Sequence, residues 1–204
     1  MSPRRQSGLT LIEMVVVLAI FIIMLGVVLA NFPAFRDKTG LQLIAQEIAT
    51  TIRQAQVYGI GTRSTGVSSF PAYGLYFDVV MATDKKSFIL FADRDDNDIY
   101  TEGSMSCPSD SECVEKFSIR GAAEIADIQI CNNSGCTEAA TVAPVFSLLF
   151  IRFYPEVRFL EAVNGTELVG YSYARIVVRS TRDSSQQKWV EVWNTGQISV
   201  KNPT

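Results

Sequence analysis

One stretch constrains every other reading of this chain. Residues 9–30, LTLIEMVVVLAIFIIMLGVVLA, contain a single charged side chain, Glu13, and from Met14 onward no strongly polar one. At roughly 1.5 Å per residue, a helix over these positions spans about 33 Å, matching a hydrocarbon core of about 30 Å. The residues before it, MSPRRQSG, are polar and carry Arg4 and Arg5. Basic residues ahead of an apolar span hold that end in the cytoplasm and send the remainder across the membrane. A cleaved secretory signal would show a small-residue site after the run. Here NFPAF follows Ala30 instead.

Glu13 disturbs the picture of a plain anchor. A carboxylate in hydrocarbon costs roughly 2.5 kcal/mol or more unless it is paired or neutralised. Either the first turn lies among lipid headgroups, where Glu13 is merely solvated, or the carboxylate meets a partner that assembly supplies.

The string Arg4-Arg5-Gln6-Ser7-Gly8, then Leu9-Thr10-Leu11-Ile12-Glu13 and the apolar run, resembles the class III signal of type IV pilins and pseudopilins. That resemblance implies cutting by a prepilin peptidase between Gly8 and Leu9, and N-methylation of Leu9 by the same processing machinery. Thr10 and Glu13 then become the second and fifth residues of the mature chain, with roles in assembly. Leu9 departs from the phenylalanine usual in the family, but other apolar residues are tolerated there. A retained apolar helix can leave the bilayer only by burial against copies of itself, which drives a helical, non-closing assembly. Glu13 would pair with the Leu9 amine of a neighbouring subunit, fixing axial register more than adding stability. The implied partners are the peptidase, other pilin or pseudopilin subunits, the inner-membrane assembly platform and the membrane. The implied location is a single-pass membrane precursor, then an extracytoplasmic filament.

Beyond the membrane run the chain divides into 31–62, an amphipathic continuation of the helix, and 63–204, a β-rich extracytoplasmic domain. Pro33 predicts a bend, since proline removes an intrahelical donor. Leu41, Ile44, Ala45, Ile48, Ile52 and Ala55 recur at helical spacing, and Gly59 and Gly61 punctuate the end. Val/Ile/Phe/Tyr-rich segments then predict strands at 74–81, 87–92, 115–120, 125–131, 146–153, 157–160, 174–180, 188–194 and 197–200. The last pair reads as a hairpin around Asn194-Thr195-Gly196. The fold class is therefore α+β, a long N-terminal helix packed on antiparallel sheets. The layout, with its late V-x-V-x-N-x-G-x-I-x-V pattern, resembles the H-type minor pseudopilins of type II secretion and the FimT-like minor pilins. With the size of the chain, that resemblance implies a minor type IV pilin, with an H-type secretion pseudopilin as the alternative and, behind both, a DNA-uptake minor pilin or a membrane-anchored binding module that never assembles.

Composition removes other classes. There is no histidine among 204 residues, which excludes histidine-dependent triads and proton shuttles. No nucleophile–base pair stands out, so no enzyme is expected. The formal charge is −3, and the tail VKNPT holds one base, so no nucleic-acid partner is expected. Cys107, Cys113, Cys131 and Cys136 lie in a domain expected in an oxidising compartment. Three connectivities exist, and the short loops favour Cys107–Cys113 with Cys131–Cys136. Zinc is the alternative, although neither pair has the two-residue spacing usual for that metal.

Two further features are candidate sites. Oxygen donors alternate at Asp93, Asp95 and Asn97, with Glu102 beyond them, as in the opening of a calcium loop. The glycine and closing glutamate of the full pattern are missing, so an Asx-rich turn competes with a structural calcium. No other cofactor is required. On 188–193, Trp189 and Trp193 alternate with Val190 and Val192, and Arg175 and Arg179 alternate with Ile176 and Val178. If the aliphatic residues face the core, tryptophan and arginine face outward as an interface with neighbouring subunits, unless another layer covers them.

Overall fold

The computed structural model describes residues 10–61, 71–78, 85–101, 107, 112–138 and 145–203. Leu11–Ile60 is one α-helix, α1, and the chain divides into two compact units, Met1–Lys38 and Thr39–Thr204. In the first unit the helix carries apolar side chains on all sides. Leu11, Phe21, Ile22, Ile23 and Leu29 all stand exposed, and no part of the Leu11–Leu29 span is buried within the chain. A helix that is hydrophobic all round belongs in lipid or among other helices. The residues expected to bend at Pro33 are helical. Proline removes one donor from the ladder, and the turns before and after it stay helical.

In the second unit the helix presents a stripe. Leu41, Ala45, Ile48, Ala49, Ile52 and Ala55 are all buried, recurring at the three- and four-residue spacing that places side chains on one face. The alanines let sheet residues approach closely. Among the described residues eleven strands follow: β1 (Ala72–Asp78), β2 (Ser87–Asp93), β3 (Cys113–Ser118), β4 (Ala123–Asn132), β5 (Gly135–Glu138), β6 (Val145–Phe150), β7 (Val157–Glu161), β8 (Thr166–Glu167), β9 (Tyr173–Ser180), β10 (Gln187–Trp193) and β11 (Ile198–Lys201). They form two sheets, ordered β3-β2-β1-β6-β7-β8 and β11-β10-β9-β4-β5. Every described pairing is antiparallel.

Period-two alternation decides which residues face the helix. Tyr73, Leu75 and Phe77 of β1 and Phe146, Leu148 and Phe150 of β6 join Ile176, Val178, Val190 and Val192 of the second sheet in one core with the helical stripe. The expected α+β class is what forms. The other face of the first sheet carries a smaller core of Tyr76, Ile89, Phe91, Leu149 and Leu160, closed by Tyr100 from the loop after β2.

The strands the sequence did not announce are β5 and β8, whose residues GCTE and TE are exposed and lack apolar alternation. β6 stops at Phe150 rather than at 153. Phe153 adopts φ 69°, which breaks an extended run, and Pro155 follows. The end of the expected 74–81 strand lies outside the described residues. The hairpin at Asn194 is present, with Gly196 at φ 84°, a conformation glycine adopts without strain.

Helix and first sheet come close together at Gly59, where an added Cβ would stand 2.7 Å from the Phe150 carbonyl oxygen. Gly59→Ala is therefore expected to lower the stability of the Thr39–Thr204 unit by about 1–3 kcal/mol, the usual range for overpacking. Urea unfolding checks it, and an unchanged midpoint would show that β6 yields freely.

Candidate functional site

The helix begins with a cap. Thr10 Oγ1 accepts the Glu13 N–H at 3.4 Å, and the Thr10 carbonyl accepts the Met14 N–H at 3.2 Å. Thr10 thus satisfies donors that a helix start leaves without partners. Glu13 lies in the first turn, where negative charge complements the helix dipole. Gly8 and Leu9 lie outside the described residues.

The acidic loop after β2 folds over the small second core. Asp93, 3% exposed, accepts the Asn97 N–H at 3.1 Å through Oδ1 and the Asp98 N–H at 2.9 Å through Oδ2. Asp95 accepts the Asn97 side-chain amide at 2.8 Å and the Thr101 hydroxyl at 3.2 Å. Asp96 and Asp98 take φ 61° and 64°, the left-handed region that aspartate tolerates better than most residues. Arg158 bridges Asp98 at 2.7 Å and Glu167 at 2.9 Å, tying the loop to β7 and β8. Burial works to lower the Arg158 pKa, but these two carboxylates outweigh it and raise it.

Sequence reasoning missed the residue that locks this loop. Glu112, 5% exposed, accepts the Arg94 N–H through Oε1 and the Thr101 N–H through Oε2, both at 2.9 Å. The signal was its place beside Cys113, whose strand pairs with β2. Carboxylate oxygens of Asp93, Asp95 and Glu112 lie within 4.8 Å of one another, a donor set that suits a hard cation. Of the residues read as calcium ligands, Asp93 and Asp95 therefore come together. The Asn97 side-chain oxygen accepts the Ile99 N–H at 2.8 Å, and Glu102 lies outside the described residues. The hydrogen bonds themselves are those of an Asx-rich turn riveted by Glu112.

The cysteines pair as expected, Cys107 with Cys113 and Cys131 with Cys136. No cysteine is left free for zinc. Cys131 and Cys136 are register partners across β4 and β5, so that bridge staples an edge hairpin.

On the second sheet Trp189, Trp193, Arg175 and Arg179 occupy the outer face, and Ile176, Val178, Val190 and Val192 are fully buried beneath. The arginines are engaged within the chain. Arg175 pairs with Glu191 at 3.0 Å and Arg179 with Glu124 at 2.8 Å. Glu191 is itself buried, at 3% exposure, and also binds Lys201 at 2.6 Å. The Arg175 guanidinium lies 4.0 Å from the centre of the Trp189 ring, and Trp193 packs on Tyr173 at 4.7 Å between centroids.

Two outcomes follow for the acidic loop. Burial above all, helped by Glu112 and Asp95, pushes Asp93 from 3.8 up to about 6 against the pull of the Asn97 and Asp98 N–H groups. The folded chain then binds this proton more tightly than the unfolded chain, so Asp93 favours folding less as pH rises from about 4 to about 6. Melting temperature should fall across that window and the fall should vanish in Asp93→Asn; millimolar calcium should flatten it only if the three carboxylates hold the ion. Glu112→Gln replaces one acceptor by an amide N–H facing another N–H, and is expected to cost about 1–3 kcal/mol in urea unfolding.

Residues 3–29 match the family model described as the prokaryotic N-terminal methylation motif. No curated protein and no solved structure matches the chain. The match covers the basic leader, the capped helix start with Glu13 and nearly all of the apolar span. That motif belongs to structural subunits that a prepilin peptidase processes and that assemble with other pilin subunits, and the apolar helix is the membrane anchor of the precursor. Over residues 3–29 the chain thus carries the N-terminal methylation motif, and that motif supports a type IV pilin-like or pseudopilin protein.

Proposed function

We propose that this chain is a non-enzymatic minor subunit of a type IV pilus-like filament, cut between Gly8 and Leu9 and methylated on Leu9. The observation that carries the reading is the helix Leu11–Leu29, apolar on every side, wholly uncovered within the chain and bearing one acid at its start. Burial against sibling helices removes that apolar surface from both lipid and water. In this reading the Glu13 carboxylate, in the first turn behind the Thr10 cap, pairs with the new amine of a neighbour's Leu9. Such a pair rewards one stagger between subunits and penalises the rest. The β-rich domain then decorates the fibre, its loops stapled by two disulfides.

A secretion pseudopilin of the H type is the second reading, favoured by the closing hairpin β10–β11 with Gly196 in its turn. Both readings share the processing step. Intact-mass analysis of the mature protein should give a chain beginning at Leu9 and heavier by one methyl group. An uncut N-terminus would overturn the proposal. Glu13→Val should still insert into the membrane and be cut, yet be depleted from sheared fibres by at least about tenfold, a loss of roughly 1.4 kcal/mol in assembly. Incorporation at the wild-type level would remove the role given to Glu13.

A further inference from the structure

The outer face of the second sheet holds an open groove of about 390 Å³. Val177, 6% exposed, forms its floor. Trp189 on β10 and Asp127 on β4 are both register partners of Val177 from opposite sides. Strands lie about 4.8 Å apart, so these two walls stand about 10 Å from each other. Asp127 owes its place to an irregularity. Ile125 and Ile128 both point into the core, and the register slips between Ile125 and Asp127. In a regular strand Asp127, two residues on, would share the inward face of Ile125. The bulge turns its carboxylate outward to the groove, the kind of re-aiming for which bulges are retained. Burial there raises the Asp127 pKa, the mark of a carboxylate partly withdrawn from water.

The Trp189 wall is braced by a chain of contacts. Its ring lies against Arg175, Arg175 is fixed by Glu191, and Glu191 is fixed in turn by Lys201. Burying a carboxylate on the outer side of a sheet is costly even when it is paired. What the network does is back one side of the indole with a paired guanidinium. The remaining charges of the groove cancel, Lys85 and Arg179 against Asp127 and Glu138, and Gln129 and Gln187 add amides. A strongly charged ligand gains nothing from such a rim, and a phosphate chain would meet two carboxylates. An uncharged ring with an apolar C–H face and a hydroxyl edge gains from all of it: the face lies on the indole, and the edge meets acids, amides and guanidinium.

We propose that this groove binds a neutral hexose unit of an oligosaccharide, with Trp189 as the stacking platform and Asp127 as a hydroxyl acceptor. The inference goes beyond a place in a filament, because binding does not require assembly. The test uses the full chain in a zwitterionic, sugar-free detergent, since maltoside micelles would themselves offer hexoses. Maltohexaose, mannohexaose and chitohexaose are titrated with saturation-transfer NMR and tryptophan emission as readouts. A twelve-residue oligothymidylate and a soluble second copy of the domain, Thr39–Thr204, are run in parallel.

At least one hexasaccharide should saturate with a Kd of about 0.1–1 mM, as suits an open groove with one aromatic wall. Trp189→Ala should weaken it at least about tenfold, Asp127→Asn by about threefold, and Trp193→Phe should leave it unchanged. Trp189→Phe keeps a ring and should retain most of the affinity, which preserves the test if the alanine variant fails to fold. Absence of saturation by all three sugars at about 10 mM would overturn the proposal. So would sugar binding untouched in a folded Trp189→Ala chain. Trp189-dependent binding of the oligothymidylate or of the domain copy, without sugar binding, would reassign the groove to that partner.

Discussion

The second unit depends on the burial of one helical stripe. Leu41, Ala45, Ile48, Ala49, Ile52 and Ala55 form a floor shared by two sheets, and each sheet has one apolar face that needs it. An antiparallel sheet with a single covered face is stable only when something covers that face. Here one amphipathic segment covers both, which explains why small residues recur along it: a bulky side chain at Ala45 or Ala49 would hold one sheet off. Gly59 continues the logic to the end of the helix, where its bare Cα lies against the β6 backbone.

The same helix begins under the opposite condition. From Leu11 to Leu29 there is no stripe, because every side is apolar, and none of it is covered within the chain. The hydrophobic effect that completes the β-rich domain internally is therefore left unsatisfied at the N-terminus, and only lipid or other helices can satisfy it. Methylation motif, cap and lone carboxylate all sit where that unsatisfied segment starts. The motif match over residues 3–29 and the physics of the apolar helix meet at the same residues.

Periodicity made much of this legible in advance. The apolar span, the helical stripe, most strands and the hairpin at Gly196 rest on local patterns that a linear reading captures. Short cysteine spacings likewise anticipated both bridges. What escaped were partnerships between distant positions. Glu112 closes a loop that begins at Asp93, Lys201 neutralises Glu191 from the next strand, and Asp127 faces outward only because the ladder slips beside it. Arg175 and Arg179 looked free for a partner because nothing nearby in sequence shows Glu191 or Glu124 opposite them. β5 and β8 escaped for a simpler reason, being too short and too polar to leave a pattern.

Near the end of the helix, the Gln56 side-chain amide donates to the Pro155 carbonyl at 3.1 Å and to the Gly196 carbonyl at 3.2 Å. Those two carbonyls belong to turns in different sheets, β6–β7 in one and β10–β11 in the other. One amide therefore works as a cross-brace. A pull along the Thr39–Ile60 segment cannot peel away a single sheet, because stripe and brace pass the strain to both at once. Two layers sheared together resist far more than one layer unzipped bond by bond.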